Sequence, residues 1–161
     1  MATLYCPTTF GIFEIEGSDL GIQRIRLSES AGENSPQIPD VLYEAMRQLD
    51  AYFKRKLENF DLPLDWEGHT DFNQAVWKLL MEIPYGHTSS YSAIADKLGD
   101  IKSVRAVGQA NRNNPIAIVV PCHRVLAKNG QLHGYFYGLD FKRRLLELEN
   151  PMSFGRQAAL F

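Results

Sequence analysis

Ser90-Tyr91-Ser92-Ala93-Ile94-Ala95-Asp96-Lys97-Leu98, then Gly99-Asp100-Ile101-Lys102, then Ser103-Val104-Arg105-Ala106-Val107-Gly108-Gln109-Ala110 decides the fold. Ser90 is an N-cap residue type, and Tyr91 to Leu98 reads as a short helix that Gly99 stops. A second helix begins near Ser103 and runs to Asn113-Asn114, where Pro115 ends it. Two short helices joined by a short glycine-containing turn match a helix-turn-helix in length and turn position.

Working outward, Asp71 is placed to cap a helix carrying Phe72, Val76, Leu79 and Leu80, which ends before Pro84-Tyr85-Gly86. On the other side, the apolar run Ile116-Ala117-Ile118-Val119-Val120 reads as a buried strand leading into Pro121-Cys122-His123-Arg124-Val125. Lys128-Asn129-Gly130 reads as a hairpin turn, Gly134 to Gly138 as a glycine-flanked aromatic loop, and Asp140 to Glu149 as the last helix. Three helices followed by a strand and a hairpin describe a winged helix.

The front of the chain has a different period. Phe10 to Glu16 and Gly21 to Leu27 alternate apolar and polar residues, with Gly17-Ser18-Asp19 as the turn between them. Residues 28–39 form a loop, a helix follows over about residues 40–55, and Leu62-Pro63-Leu64-Asp65 reads as a short edge strand. The fold class is therefore α+β. A sheet-plus-helix module spans 1–67, a winged helix-turn-helix-like module spans 68–150, and a tail spans 151–161.

A chain of 161 residues, 45% hydrophobic and 22% charged, builds a core and is not a disordered polyelectrolyte. No apolar run approaches a membrane span, and the first residues lack a signal peptide's basic and apolar regions, so a cytoplasmic protein is expected. Cys6 and Cys122 form no C-x-x-C pair, and His69, His87, His123 and His133 show no helical i,i+4 spacing; no metal is expected. The net charge of -2 hides an asymmetry. Residues 1–67 hold 6 Lys/Arg against 12 Asp/Glu, whereas residues 101–149 hold 8 against 3. A polyanion would bind the second module.

Cys122 is the best nucleophile candidate, with His123 beside it. On spacing alone a buried cysteine is more often inert core. Adjacent residues of a strand also face opposite sides, so a Cys–His couple needs the chain to turn after Pro121 or a bridging water. Glu147 and Glu149 on the last helix read, in isolation, as solvent-exposed.

Taken together, Ile83-Pro84-Tyr85-Gly86, Ser90-Tyr91, Ser103-Val104-Arg105-Ala106-Val107-Gly108, Asn114-Pro115, Pro121-Cys122-His123-Arg124-Val125 and Gly138-Leu139 with Lys142 resemble the O6-alkylguanine-DNA alkyltransferases, also called methylated-DNA–protein-cysteine methyltransferases. The resemblance covers about Phe72 to Glu149. It implies that Cys122 accepts the alkyl group from guanine O6, that His123 takes the thiol proton through a water, and that Glu149 orients His123. Tyr91 would hydrogen-bond guanine N3. Arg105 would fill the stack vacated by a flipped nucleotide. Ala106, Gly108 and Gln109 would lie in the minor groove with Arg105, Asn114 would tie the helix-turn-helix to the cysteine segment, and Tyr135 would contact DNA. The implied partner is double-stranded DNA containing O6-alkylguanine, repaired once per monomeric molecule with no cofactor. O4 of thymine is a secondary target.

One departure stands out. Phe136 and Tyr137 occupy places where the family commonly has small residues, so with Leu132 they either narrow the pocket or stack on DNA. Separately, Gln157-Ala158-Ala159-Leu160-Phe161 resembles the peptide that docks repair proteins on the bacterial sliding clamp, which implies that partner for residues 157–161 and a bacterial cytoplasm or nucleoid. Packing of Leu160 and Phe161 on their own chain is the alternative. Two rival functions remain. An alkyltransferase-like damage-binding protein would lack the acceptor cysteine. A winged-helix transcription factor would leave Cys122, His123, Tyr91 and Glu149 unexplained.

Overall fold

A computed structural model describes residues 1–127 and 134–155. The Lys128-Asn129-Gly130 turn, Leu132 and the peptide 157–161 lie outside the described residues. The chain divides into two compact units: Met1–Gly68 with Pro115–Ala117, and His69–Asn114 with the chain from Ile118 onward.

The first unit is built on an antiparallel sheet in the order β1 (Ala2–Thr8), β2 (Gly11–Ser18), β3 (Gly21–Ser28). β2 and β3 are the two alternating segments; β1 was not expected. Its Ala2, Leu4 and Cys6 are buried and Thr3 and Tyr5 less so, the period of a half-covered strand. Gly21 starts β3 at φ 149°, and a Cβ there would stand 2.8 Å from Pro63 O. Glycine thus lets residues 63–65 run beside β3, where Ile22 N donates to Pro63 O and Asp65 N to Ile22 O. The expected edge strand is this single bridge, Ile22↔Leu64. Helix α1 (Asp40–Phe53) buries Leu42, Ala45, Leu49, Tyr52 and Phe53. Each large side chain among them contributes about 1.5–3 kcal/mol.

The expected strand at 116–120 is not one. Ile25 N donates to Pro115 O and Ala117 N to Ile25 O, so only one bridge forms, Ile25↔Ile116. Ile118 then takes φ 73°, which no strand accommodates. All five residues are nonetheless buried, which is why the run is uniformly apolar.

The second unit holds α2 (Asp71–Leu80), β4 (Ser89–Ser90), α3 (Tyr91–Lys97), α4 (Val104–Arg112), β5 (Val125–Leu126) and α5 (Leu139–Glu149). Thr70, not Asp71, caps α2 by accepting from Asn73 N, while Asp71 sits in the first turn, where its charge suits the helix dipole. Ser90 caps α3 as expected. A 3-10 turn, Ile101–Ser103, leads into α4. Trp77, fully buried on α2, donates its indole N–H to Ala110 O on α4 at 2.9 Å. β4 and β5 pair in parallel, which sets the start of α3 beside the residues following Cys122. Pro151–Gly155, the start of the tail, winds into a π-helical turn. Among the described residues no helix is long and apolar enough to cross a membrane.

Candidate active site

After Pro121 the chain enters a 3-10 turn, Cys122–Arg124, closed by Arg124 N donating to Pro121 O at 3.0 Å. The turn abolishes strand alternation, so Cys122, His123 and Arg124 are all buried. This is the bend that a Cys–His couple required.

His123 Nε2 lies 2.7 Å from Glu149 Oε2. An ionised carboxylate only accepts, so this contact assigns the ring proton to Nε2 and the lone pair to Nδ1. Nδ1 is buried without a hydrogen-bond partner among the described residues. Burial lowers the imidazole's pKa, although Glu149 opposes this, and the ring rests neutral. Burial would raise the Glu149 carboxyl, but His123 and Arg124 outweigh it and hold it well below the usual range. Arg124 grips the same carboxylate with Nε at 2.8 Å and a terminal nitrogen at 3.0 Å, and gives its other terminal nitrogen to Ile83 O at 2.8 Å. Glu149 is therefore an interior anion, not the exposed residue its helix position suggests in isolation.

Burial pushes the Cys122 thiol up, against the opposing pull of the Asn114 side chain and the Lys142 charge. Two amides from α4 and its end fix the backbone around it: Asn114 Nδ2 donates to Val120 O at 2.8 Å and Asn111 Nδ2 to Cys122 O at 3.3 Å. Lys142 is fully buried, with Nζ donating to Val125 O at 2.6 Å and Gly134 O at 3.2 Å. Burial lowers its pKa to about 8. Asn111, Arg124 and Lys142 were not foreseen as site residues. Lys142 could have been, because it shares the α5 stripe of Leu145, Leu146 and Glu149, a register that points inward.

The other expected residues separate into two groups. Tyr91, Asn114 and Tyr135 are placed with the cysteine. Tyr91 opens α3; its pKa is raised by burial and by Cys122, and its hydroxyl stands 3.9 Å from where a Cβ on Gly134 would be. Tyr135 has an enclosed hydroxyl, and burial together with the nearby Cys122 pushes its pKa well above the ordinary value. Arg105, Ala106 and Gln109 instead share the exposed face of α4, opposite buried Val107, Ala110 and Asn111, with Gly108 half-buried between them. Phe136 projects outward at 64% exposure, whereas Tyr137 packs against Tyr135 and Phe141. Among the described residues no group of three or more His, Cys, Asp or Glu could hold a metal ion.

Residues 71–151 match the 6-O-methylguanine DNA methyltransferase DNA-binding domain, and residues 1–66 match the ribonuclease-like domain of the same proteins. The chain belongs to the 6-O-methylguanine DNA methyltransferase family. Members of this family are single-turnover alkyltransferases. A methylated-DNA–protein-cysteine methyltransferase from Methanosarcina acetivorans is 50% identical over 129 residues, 80% of each chain. The crystal structure of Mycobacterium tuberculosis O6-methylguanine methyltransferase is similar over 100% of both chains, with TM-score 0.82 and 41% identity. The M. tuberculosis OGT in complex with DNA matches 92% of this chain and 91% of its own, with TM-score 0.80 and 45% identity. The α+β architecture of the methyltransferase family is thus the one this chain adopts.

Proposed function

We propose that this chain repairs double-stranded DNA by moving a methyl or other small alkyl group from O6 of guanine to Cys122. The observation that carries this reading is the buried turn in which His123, next to Cys122, has Nε2 fixed by Glu149 and Nδ1 without a hydrogen-bond partner among the described residues. His123 Nδ1 takes the thiol proton through a water, and Glu149 orients the ring and stabilises the resulting imidazolium. Sγ attacks the alkyl carbon, the carbon–O6 bond breaks, and the electron pair leaves on the guanine. Tyr91 donates to the departing base at N3. A thioether remains on Cys122, and each molecule acts once.

DNA docks on the exposed face of α4. Arg105 replaces the flipped nucleotide in the stack, with Ala106, Gly108 and Gln109 in the minor groove. Asn114 links that helix to the cysteine turn. The reaction belongs to the module over 68–150. O4 of thymine is a secondary substrate, and the tail at 157–161 is a docking peptide for a sliding clamp in a bacterial cytoplasm. The protein works as a monomer.

The test compares the wild type with Cys122→Ser on a duplex containing O6-methylguanine. The wild type should remove the methyl group stoichiometrically; Cys122→Ser should bind the duplex and remove none. Methyl removal by Cys122→Ser would refute the reading.

A further inference from the structure

The sequence places Tyr135 on the DNA side, but its hydroxyl is enclosed and without a hydrogen-bond partner among the described residues. Buried polar groups are rarely left so, and at a reactive site an orphan donor marks a charge that is still to form. The ring is fixed on two sides. It lies parallel to Phe141, with centroids 6.5 Å apart and planes at 6°, and meets Tyr137 edge-on at 5.8 Å. Its backbone is fixed too. Lys142 Nζ holds Gly134 O, the preceding carbonyl, together with Val125 O, three residues beyond Cys122. The phenol thus lies within electrostatic reach of Cys122, and its enclosed hydroxyl has no hydrogen-bond partner among the described residues.

We infer that Tyr135 is a catalytic residue whose phenol O–H hydrogen-bonds to the Cys122 sulfur as it becomes a thiolate. This role rests on the alkyl-transfer reading above. The S–H proton goes to His123, the sulfur–carbon bond forms as the carbon–O6 bond breaks, and the phenol keeps its proton throughout. Burial and the nearby Cys122 push the phenol well above its ordinary value, so it stays a donor at every working pH. Among the other ionisable groups around the sulfur, Lys142 also favours the thiolate through its charge, and the rest have different tasks. On α5, Lys142 bonds the two carbonyls and Glu149 is held by His123 and Arg124. On α3, Tyr91 serves the departing base. On the cysteine's own turn, His123 accepts the proton and Arg124 is committed to Glu149 and Ile83 O.

The test uses Tyr135→Phe, which keeps the ring and its stacking. Wild type and variant are reacted with iodoacetamide from about pH 7 to about pH 11.5, a span that reaches past the ordinary thiol range to where a buried thiol ionises, and the Cys122 peptide is quantified separately from Cys6 by mass spectrometry. Single-turnover methyl transfer from an O6-methylguanine duplex is measured in parallel. Losing a charge-assisted hydrogen bond should slow both reactions about tenfold at neutral pH and move the inflection up by about one pH unit. An unmoved inflection overturns the inference. Loss confined to the DNA reaction also overturns it and returns Tyr135 to DNA contact. If neither protein takes up methyl from DNA while the iodoacetamide profile still shifts, the alkyl-transfer reading fails and the phenol–sulfur hydrogen bond stands.

Discussion

Arg124 and Glu149 meet through two hydrogen bonds, at 2.8 and 3.0 Å, on the carboxylate that also holds His123. The pair is buried, so removing the cation leaves an uncompensated interior charge. Arg124→Leu should destabilise the fold by about 3–5 kcal/mol. It should also show in acid. Glu149 is held well below its ordinary pKa, so its stabilisation is complete above about pH 4.3 and is lost as pH falls below that. Without Arg124 the folded pKa rises, and the acid-unfolding midpoint should move to higher pH. Urea titrations across the acid range check this; an unmoved midpoint would remove Arg124 as the anchor.

Lys142 gives a second pH signature, of opposite origin. Its folded pKa is about 8 against an ordinary 10.5. Between those values the unfolded chain binds more protons, so the Lys142 share of stability rises with pH. Lys142→Met should abolish that share. The check is the difference in unfolding free energy between wild type and variant from about pH 7.5 to about pH 10.5. A difference independent of pH would mean that Lys142 is not desolvated as described.

How much of this could be read from the sequence depends on what each signal encodes. β2, β3 and α1 follow their periods because one face of each is covered. β1 carries the same alternation in Ala2, Leu4 and Cys6, but small residues and Pro7 weaken it. The run 116–120 misleads because apolar composition reports burial and not backbone conformation; the φ of Ile118 is invisible in composition. In the site, Cys122 beside His123 gains meaning only once the turn after Pro121 exists. Glu149 and Lys142 look like surface charges until α5 is seen to carry them on its inward stripe. Cys122, His123 and Glu149 became legible as a set through the family resemblance, which gave Lys142 no role.

Arg105 stands on the exposed face of α4, opposite buried Val107, Ala110 and Asn111. Arg105→Ala should slow repair in duplex much more than reaction with free O6-methylguanine, because only a duplex has a stack to fill. Single-turnover rates on the two substrates decide it. Equal losses would assign Arg105 a structural role.

Tyr137 packs on Tyr135 and Phe141, whereas Phe136 is 64% exposed. Slow reaction with O6-benzylguanine is therefore expected, and Tyr137→Gly should raise that rate more than Phe136→Ser does. Equal wild-type rates on methyl and benzyl substrates would contradict the expectation.

Thr70 caps α2 through Asn73 N at 3.1 Å. Thr70→Ala should cost about 1 kcal/mol in urea unfolding without changing methyl transfer at saturating stability. A change within error would mean that solvent satisfies that amide equally well.

The most direct measurement is the peptide-mapped mass of the protein after incubation with excess O6-methylguanine duplex. One methyl group per chain, located on Cys122 and not increasing with time or substrate, is the predicted result. Methyl on Cys6, more than one methyl per chain, or no uptake by folded protein would contradict alkyl transfer to Cys122.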